Sequence, residues 1–260
     1  MNQRIKKYRK KLFINKGINY IANIVTSLSI CLSLKAIKLS YNGKVNEAVI
    51  LIIICAFIDG IDGKIARYLK SDSEFGKTLD SLADFLSFGI APILIIFFYK
   101  THNWLNLGWS IGVFFSLCMA FRLARFSDKS FSNCEPYDTN TSKEKHSETF
   151  EGIPAPAGGL LLFMPIVVEN VLQIKLNHWV FCINTLLISM GLISKIRTIA
   201  INKIKLNKSQ YHIFFGILSL LSTLVFAYIW IASLIIGSAY ILYVITLLIK
   251  DNSKNKKLPN

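Results

Sequence analysis

At 260 residues, with 53% hydrophobic content and a mean hydropathy of +0.46, the chain is too apolar for an ordinary soluble domain. It carries several uncharged runs near the ~20 residues that a bilayer span requires. The formal charge of +15 does not mark a nucleic-acid binder, because there is no compact basic domain and Lys and Arg fall mainly between the apolar runs. Cys31, Cys55, Cys118 and Cys182 lie in apolar stretches and Cys134 stands alone in a polar loop, so neither a disulfide framework nor a zinc spacing emerges.

In chain order, residues 1–17 form a basic segment, MNQRIKKYRKKLFINKG, that resembles a signal n-region but leads into an apolar run without a small-residue cleavage site. It is expected to remain as a cytoplasmic tail. The first span is expected over Ile18–Ile37 and the second over Asn46–Leu69, followed by a polar bend at Lys70–Lys77. A third span is expected over Leu79–Tyr99 and a fourth over Asn106–Phe126, closing with FRLARF. Ser127–Gly152 reads as a long polar surface loop. GIPAPAGG then leads into a fifth span reaching Ile174, and a sixth covers His178–Ile193. A basic loop occupies residues 194–210, and the uncharged run Tyr211–Ile249 fits two spans with a turn near Trp230–Gly237. Residues 250–260 form a second basic tail. No strand-like alternation is visible, so the expected class is all-α, a polytopic transmembrane bundle of about eight spans. On that layout 25 of the 30 basic residues fall on one side, which puts both termini on the cytoplasmic face.

The stretch from Asp59 to Asp84 breaks this apolar pattern. Residues three and four apart project from one side of a helix, so Asp59 with Asp62, and Asp80 with Asp84, each form a carboxylate pair. Solvated helix ends are the plain reading of isolated aspartates at a membrane boundary, whereas two helix-spaced pairs facing each other across a short bend favour a site. A carboxylate at membrane depth costs on the order of 3 kcal/mol, and four together repel unless cations neutralise them. An oxygen-only set suits Mg²⁺ or Mn²⁺, and no His or Cys accompanies the aspartates to favour zinc. Gly60, Gly63, Gly76 and Ala66 keep bulk away from the carboxylates, and Arg67 lies one turn beyond Gly63, suited to a phosphate or a balancing carboxylate. These residues point to metal-assisted chemistry on a phosphorylated, diphosphate-bearing substrate at the cytoplasmic membrane surface. A divalent-cation transporter also gathers intramembrane aspartates, but has no evident need for the Ala66, Arg67 and Gly76 spacing.

Asp59-x-x-Asp62-Gly63-x-x-Ala66-Arg67, eight residues, then Gly76-x-x-x-Asp80-x-x-x-Asp84 resembles the complete signature of the CDP-alcohol phosphatidyltransferases. The resemblance implies an integral-membrane enzyme that displaces CMP from a CDP-linked lipid or alcohol. It implies Asp59, Asp62, Asp80 and Asp84 as ligands of two divalent cations, with Asp84 also the general base for the incoming hydroxyl. Gly63, Ala66, Arg67 and Gly76 would shape the CDP site. NIVTSLSICLS resembles the family's first-helix pattern, which places Asn23 and Thr26 at the nucleotide. Here the chain has Ser29 where Asn is frequent and Ser33 where Gly is frequent.

FRLARFS (Phe121–Ser127) and FEGIPAPAGG (Phe150–Gly159) are similar to the RLARFN and F-x-G-L-P-x-P-A-A segments of that family's bacterial, serine-using branch, with Ser127 for Asn and Gly158–Gly159 for Ala-Ala. That likeness implies CDP-diacylglycerol and L-serine as substrates, and a six-helix catalytic core over residues 18–193 with two further helices over 211–249. It also implies a homodimer in the bacterial inner membrane with its site facing the cytoplasm. Sister enzymes use choline, glycerol 3-phosphate or inositol phosphate as acceptor. Arg122 and Arg125 are candidates for holding a lipid phosphate or the serine carboxylate, as is Lys195 to a lesser degree. Basic residues at a helix end also serve simply to anchor it to headgroups. Pro154 and Pro156 are expected to shape the entry to the fifth span.

Overall fold

The structure is a computed structural model that describes residues 23–69, 74–101, 105–132, 149–151, 153–194, 197–199 and 228–255. It divides into two compact units. The first takes in the chain to Asp138, Pro154–Phe163 and Phe181–Ile193; the second takes in Thr139–Ile153, Met164–Val180 and Ser194 onward.

In the first unit, α1 (Asn23–Tyr41) is a polar-spotted apolar helix, three of whose four serines bond to its own carbonyls. Ser27 donates to the Asn23 carbonyl, Ser29 to Thr26 and Ser33 to Ser29, so these serines enter an apolar environment already paired. It ends in a Schellman turn. Gly43 takes φ +80°, its N–H bonds to the Ser40 carbonyl, and the Lys44 N–H bonds to Leu39. The chain returns as α2 (Val45–Leu69), whose Ala48, Val49, Ile52 and Cys55 are buried at helical spacing.

The next helix, α3 (Glu74–Thr101), starts within the expected polar bend, with Glu74 in its first turn where the helix dipole favours an acid. Its hydrogen-bond pattern widens to π geometry over Phe85–Ile90 and again over Phe97–Thr101. Pro92 accounts for the first widening: it has no N–H to give, and its ring would crowd the carbonyl one α-turn back. The Gly89 carbonyl in this stretch accepts a hydrogen bond from Ser116 Oγ at 3.1 Å, on the facing helix α4 (Leu105–Ser132). Gly108 and Gly112, four residues apart on α4, let it close on α3 at Thr101 and Ile93. α4 continues past the expected end at Phe126 to Ser132.

The fifth expected span is two helices, α5 (Ala155–Leu161) and α6 (Met164–Leu172). Pro165 is the reason: it has no N–H for the Leu161 carbonyl and its ring would clash with that oxygen, so the helix stops at Leu161 and restarts with Pro165 in its first turn. α7 (His178–Ile193) matches the sixth span. The core of the first unit is Phe88, Phe115, Met119, Leu162, Phe163, Phe181 and Leu192 around Ile52 and Ile95.

The second unit packs α6 against α8 (Ile229–Asn255). The turn expected near Trp230–Gly237 is not there: α8 is continuous through both residues. Within it Gly237 lies against Met164 and serves close helix packing. Residues 201–227, which include the first part of the expected seventh span, lie outside the described residues. So do the basic segment 1–17 and the tip of the long loop. A two-stranded antiparallel ladder, β1 (Thr149–Glu151) with β2 (Arg197–Ile199), pairs Phe150 with Thr198. The all-helical reading did not include it, since three-residue strands carry no readable alternation.

Among the described residues, α1, α3 and Asn106–Phe126 of α4 are long and apolar enough to cross a membrane, and α5 with α6 make a fourth if taken as one span. His178–Ile193 and Ile229–Val244 are shorter apolar helices. The chain is a helical, integral membrane protein.

Candidate functional site

Within the first unit, the C-terminal half of α2 and the first turns of α3 converge. Asp59 comes from α2, and Asp80 and Asp84 come from α3 at the i, i+4 spacing that puts both on one face. One carboxylate oxygen from each lies within 4.8 Å of the other two, and all three residues are half-buried. Asp59 and Asp84 are in hydrogen-bonding contact through their side chains. Were all three ionised, each pair of charges at this separation would repel by roughly 3 kcal/mol at an effective dielectric of about 20, a cost that a shared proton or a bound cation relieves.

The cleft around them is lined by Thr26 and Ser29 of α1, Cys55 and Ile58 of α2, and Ala83, Ser87 and Phe88 of α3. Asp84 ends the first α-helical part of α3 and the π stretch begins at the next residue. Widening the helix there resets the faces of the residues beyond, and Ser87 emerges buried on the cleft wall.

Other expected site residues fall differently. Thr26 is buried and lines the cleft, whereas Asn23, one turn earlier at the start of α1, is not among the lining residues. Gly76 lies in the first turn of α3 and is half-buried. Asp62, Gly63, Ala66 and Arg67 sit on the last turns of α2, with side chains outside the described residues, and Lys195 also lies outside them. The two arginines of α4, weighed equally in the sequence, separate. Arg122 is 8% exposed, its guanidinium lies 4.8 Å over the Phe126 ring, and its charge acts on Asp84. Arg125 is exposed.

One expectation is corrected. A cysteine does accompany the aspartates, because Cys55 is one helical turn before Asp59 and shares its cleft. It stays outside the oxygen cluster, which among the described residues consists of Asp59, Asp80 and Asp84. Cys55 and Ser29 were readable from helical spacing, being four and three residues from Asp59 and Thr26, whereas Ser87 lies in the π stretch, where the regular repeat does not hold.

Fold and site together define a membrane-embedded helical protein with a carboxylate cluster suited to a hard cation. The chain belongs to the CDP-alcohol phosphatidyltransferase family, whose model matches residues 19–191. Similar curated proteins carry the name CDP-diacylglycerol–serine O-phosphatidyltransferase. That of Mycobacterium tuberculosis is 35% identical over 147 residues, which is 56% of this chain and 49% of the relative. That of Helicobacter pylori is 34% identical over 148 residues, 57% of each. That of Bacillus subtilis is 27% identical over 180 residues, 69% of this chain and 90% of the relative. The chain thus spans about half the length of the mycobacterial relatives it matches.

Proposed function

We propose that this chain transfers the phosphatidyl group from CDP-diacylglycerol to L-serine, giving phosphatidylserine and CMP. The convergence of Asp59, Asp80 and Asp84 within 4.8 Å, in a chain of this family, carries the reading. Oxygens at octahedral sites around Mg²⁺ or Mn²⁺, with metal–oxygen distances of about 2.1 Å, lie about 3–4 Å apart, so a small inward movement of these carboxylates fits them to such an ion. Asp59, Asp80 and Asp84 would hold divalent cations, with Asp62 as a fourth ligand. Bound there, two such ions would offset the charge on the diphosphate and the departing CMP.

The residues of the chain supply the rest. Asp84 takes the proton of the serine hydroxyl, which then attacks the lipid-side phosphorus and expels CMP without a covalent enzyme intermediate. Thr26 contributes a hydroxyl to the nucleotide side, joined by Asn23, Gly63, Ala66, Arg67 and Gly76 of the signature. Arg122, held on Phe126, offers a fixed guanidinium beside the carboxylates for a lipid phosphate or the serine carboxylate. Arg125 and Lys195 are assigned to attraction of anionic lipid. Ile58, Ala83 and Phe88 wall the cleft with apolar surface and limit water around the reacting groups. The site faces the cytoplasm from a bacterial inner membrane, in a homodimer built on the six-helix core.

Ser127 and Gly158–Gly159 depart from the serine-branch segments, which keeps a sister acceptor as the second reading. Family membership weighs against a cation transporter. The test supplies purified protein with CDP-diacylglycerol, Mn²⁺ or Mg²⁺, and radiolabelled serine, choline, glycerol 3-phosphate or inositol phosphate in parallel. Label is expected in lipid from serine. Conversion of another acceptor alone would overturn the serine assignment and leave the transferase reading standing.

A further inference from the structure

Beneath the carboxylates, three buried side chains from three helices meet. Ser33 of α1 is 0% exposed, Cys55 of α2 is 0% and Ser87 of α3 is 2%. Ser33 Oγ lies 2.7 Å from Ser87 Oγ and 3.5 Å from Cys55 Sγ. The protons can be assigned. Ser33 donates to the Ser29 carbonyl at 2.8 Å, which leaves its oxygen to accept from the Ser87 hydroxyl and from the Cys55 thiol, itself also 3.6 Å from that carbonyl. Each hydroxyl in the group then has an acceptor.

The placement of these three residues matters more than their satisfaction. Cys55 is one turn before Asp59 on α2, and Ser87 is three residues after Asp84 on α3. Ser33 therefore touches both helices that supply the opposed sides of the carboxylate cluster. Like charges on Asp59 against Asp80 and Asp84 drive these helices apart. The clamp acts just below that point, at the π stretch where α3 is not held by regular α-helical bonds.

We propose that Ser33 is a positioning residue for the cation site: through Ser87 and Cys55 it sets the separation of Asp59 from Asp80 and Asp84 before any ion arrives. This rests on the cation reading given above. A preformed cluster binds its ion more tightly because the cost of gathering the carboxylates has been met in folding. The same pair of helices provides an internal control at its other end, where Ser40 Oγ of α1 donates to the Ile95 carbonyl of α3 at 3.1 Å. That bond also ties α1 to α3, but far from the carboxylates.

The experiment measures Mn²⁺ binding to the full chain in detergent by loss of the free-ion electron paramagnetic resonance signal, for the unaltered chain, Ser33→Ala, Ser87→Ala, the double variant and Ser40→Ala. One interhelical hydrogen bond in a membrane changes an equilibrium about three-fold. Ser33→Ala and Ser87→Ala are each expected to weaken Mn²⁺ binding by about three-fold. The double variant should add little, because both remove the same bond, and Ser40→Ala should leave binding unchanged. In turnover assays the half-saturating Mn²⁺ concentration should rise in Ser33→Ala while the rate at saturating Mn²⁺ is retained. Unchanged Mn²⁺ affinity in Ser33→Ala, or an equal loss in Ser40→Ala, overturns the positioning role alone. Absence of Mn²⁺ binding by the unaltered chain overturns the cation reading on which it rests.

Discussion

Replacing Gly159 by Ala would place a Cβ 2.8 Å from Phe88 Cβ and 2.9 Å from both Phe88 Cα and its carbonyl oxygen. Carbon atoms pack best at about 3.5–4.0 Å, so the new methyl is short by roughly 0.7–1.2 Å against backbone, which cannot rotate aside. The neighbouring change, Gly158→Ala, meets Leu192 Cδ2 at 2.8 Å, the far end of a side chain that can turn. Overpacking against an unyielding partner costs about 1–3 kcal/mol, whereas Gly to Ala within a helix gains up to about 1 kcal/mol. Gly159→Ala should therefore destabilise the chain by about 1–2 kcal/mol, and Gly158→Ala should be close to neutral. Phe88 also lines the carboxylate cleft on the π stretch after Asp84, so the displacement reaches the site. Chemical denaturation in mixed micelles gives the stability difference and turnover of CDP-diacylglycerol gives the functional one. A Gly159→Ala protein as stable and as active as the unaltered chain, with Gly158→Ala the weaker of the two, would refute the reasoning. The Ala-Ala of related segments is thus expected to be tolerated here at the first position and not at the second.

Asp84→Asn removes the proposed proton acceptor and should lower turnover by about 10²–10⁴-fold, measured as CMP release under saturating substrate. Ser116→Ala deletes the 3.1 Å bond to the Gly89 carbonyl and should cost about 0.6 kcal/mol by denaturation, the size of an average interhelical hydrogen bond in a membrane. In the second unit, Glu169 is 7% exposed and accepts from the Leu176 N–H at 2.6 Å, closing the turn in which Gln173 takes φ +54°. Glu169→Ala should cost about 1–3 kcal/mol by leaving that donor unmet, and Glu169→Gln, which keeps an acceptor oxygen, about 1 kcal/mol or less. Either denaturation series checks the order.

The Asp80–Asp84 pair was legible because the helix repeat fixes which residues share a face, and that alone brought the two together on α3. Bringing Asp59 to them required a tertiary contact that no local period encodes; the family signature stood in for it. Only α7 keeps the bounds of its apolar run; α1, α3 and α4 run on into polar sequence at Tyr41, Glu74 and Ser132, and of two breaks one was missed and one misplaced. The restart at Met164 was written in Pro165, a signal present but not weighed, and the turn expected near Trp230–Gly237 falls inside α8, where Gly237 relieves packing against Met164. Arg122 and Arg125 look alike in sequence, and only the rotation of α4 against its neighbours buries one and exposes the other. The Ser33, Cys55 and Ser87 meeting was unreadable for the same reason as the Asp59 contact, since it joins residues 22 and 54 positions apart.

The most direct test of the central claim measures CMP released from CDP-diacylglycerol by the purified chain with serine present, as Mn²⁺ or Mg²⁺ is added after complete chelation. The account predicts no release without the ion, recovery on its return, equimolar phosphatidylserine, and no recovery in Asp59→Asn or Asp80→Asn at ion concentrations that restore the unaltered chain. Full release in chelator, or recovery undiminished in both variants, would contradict it.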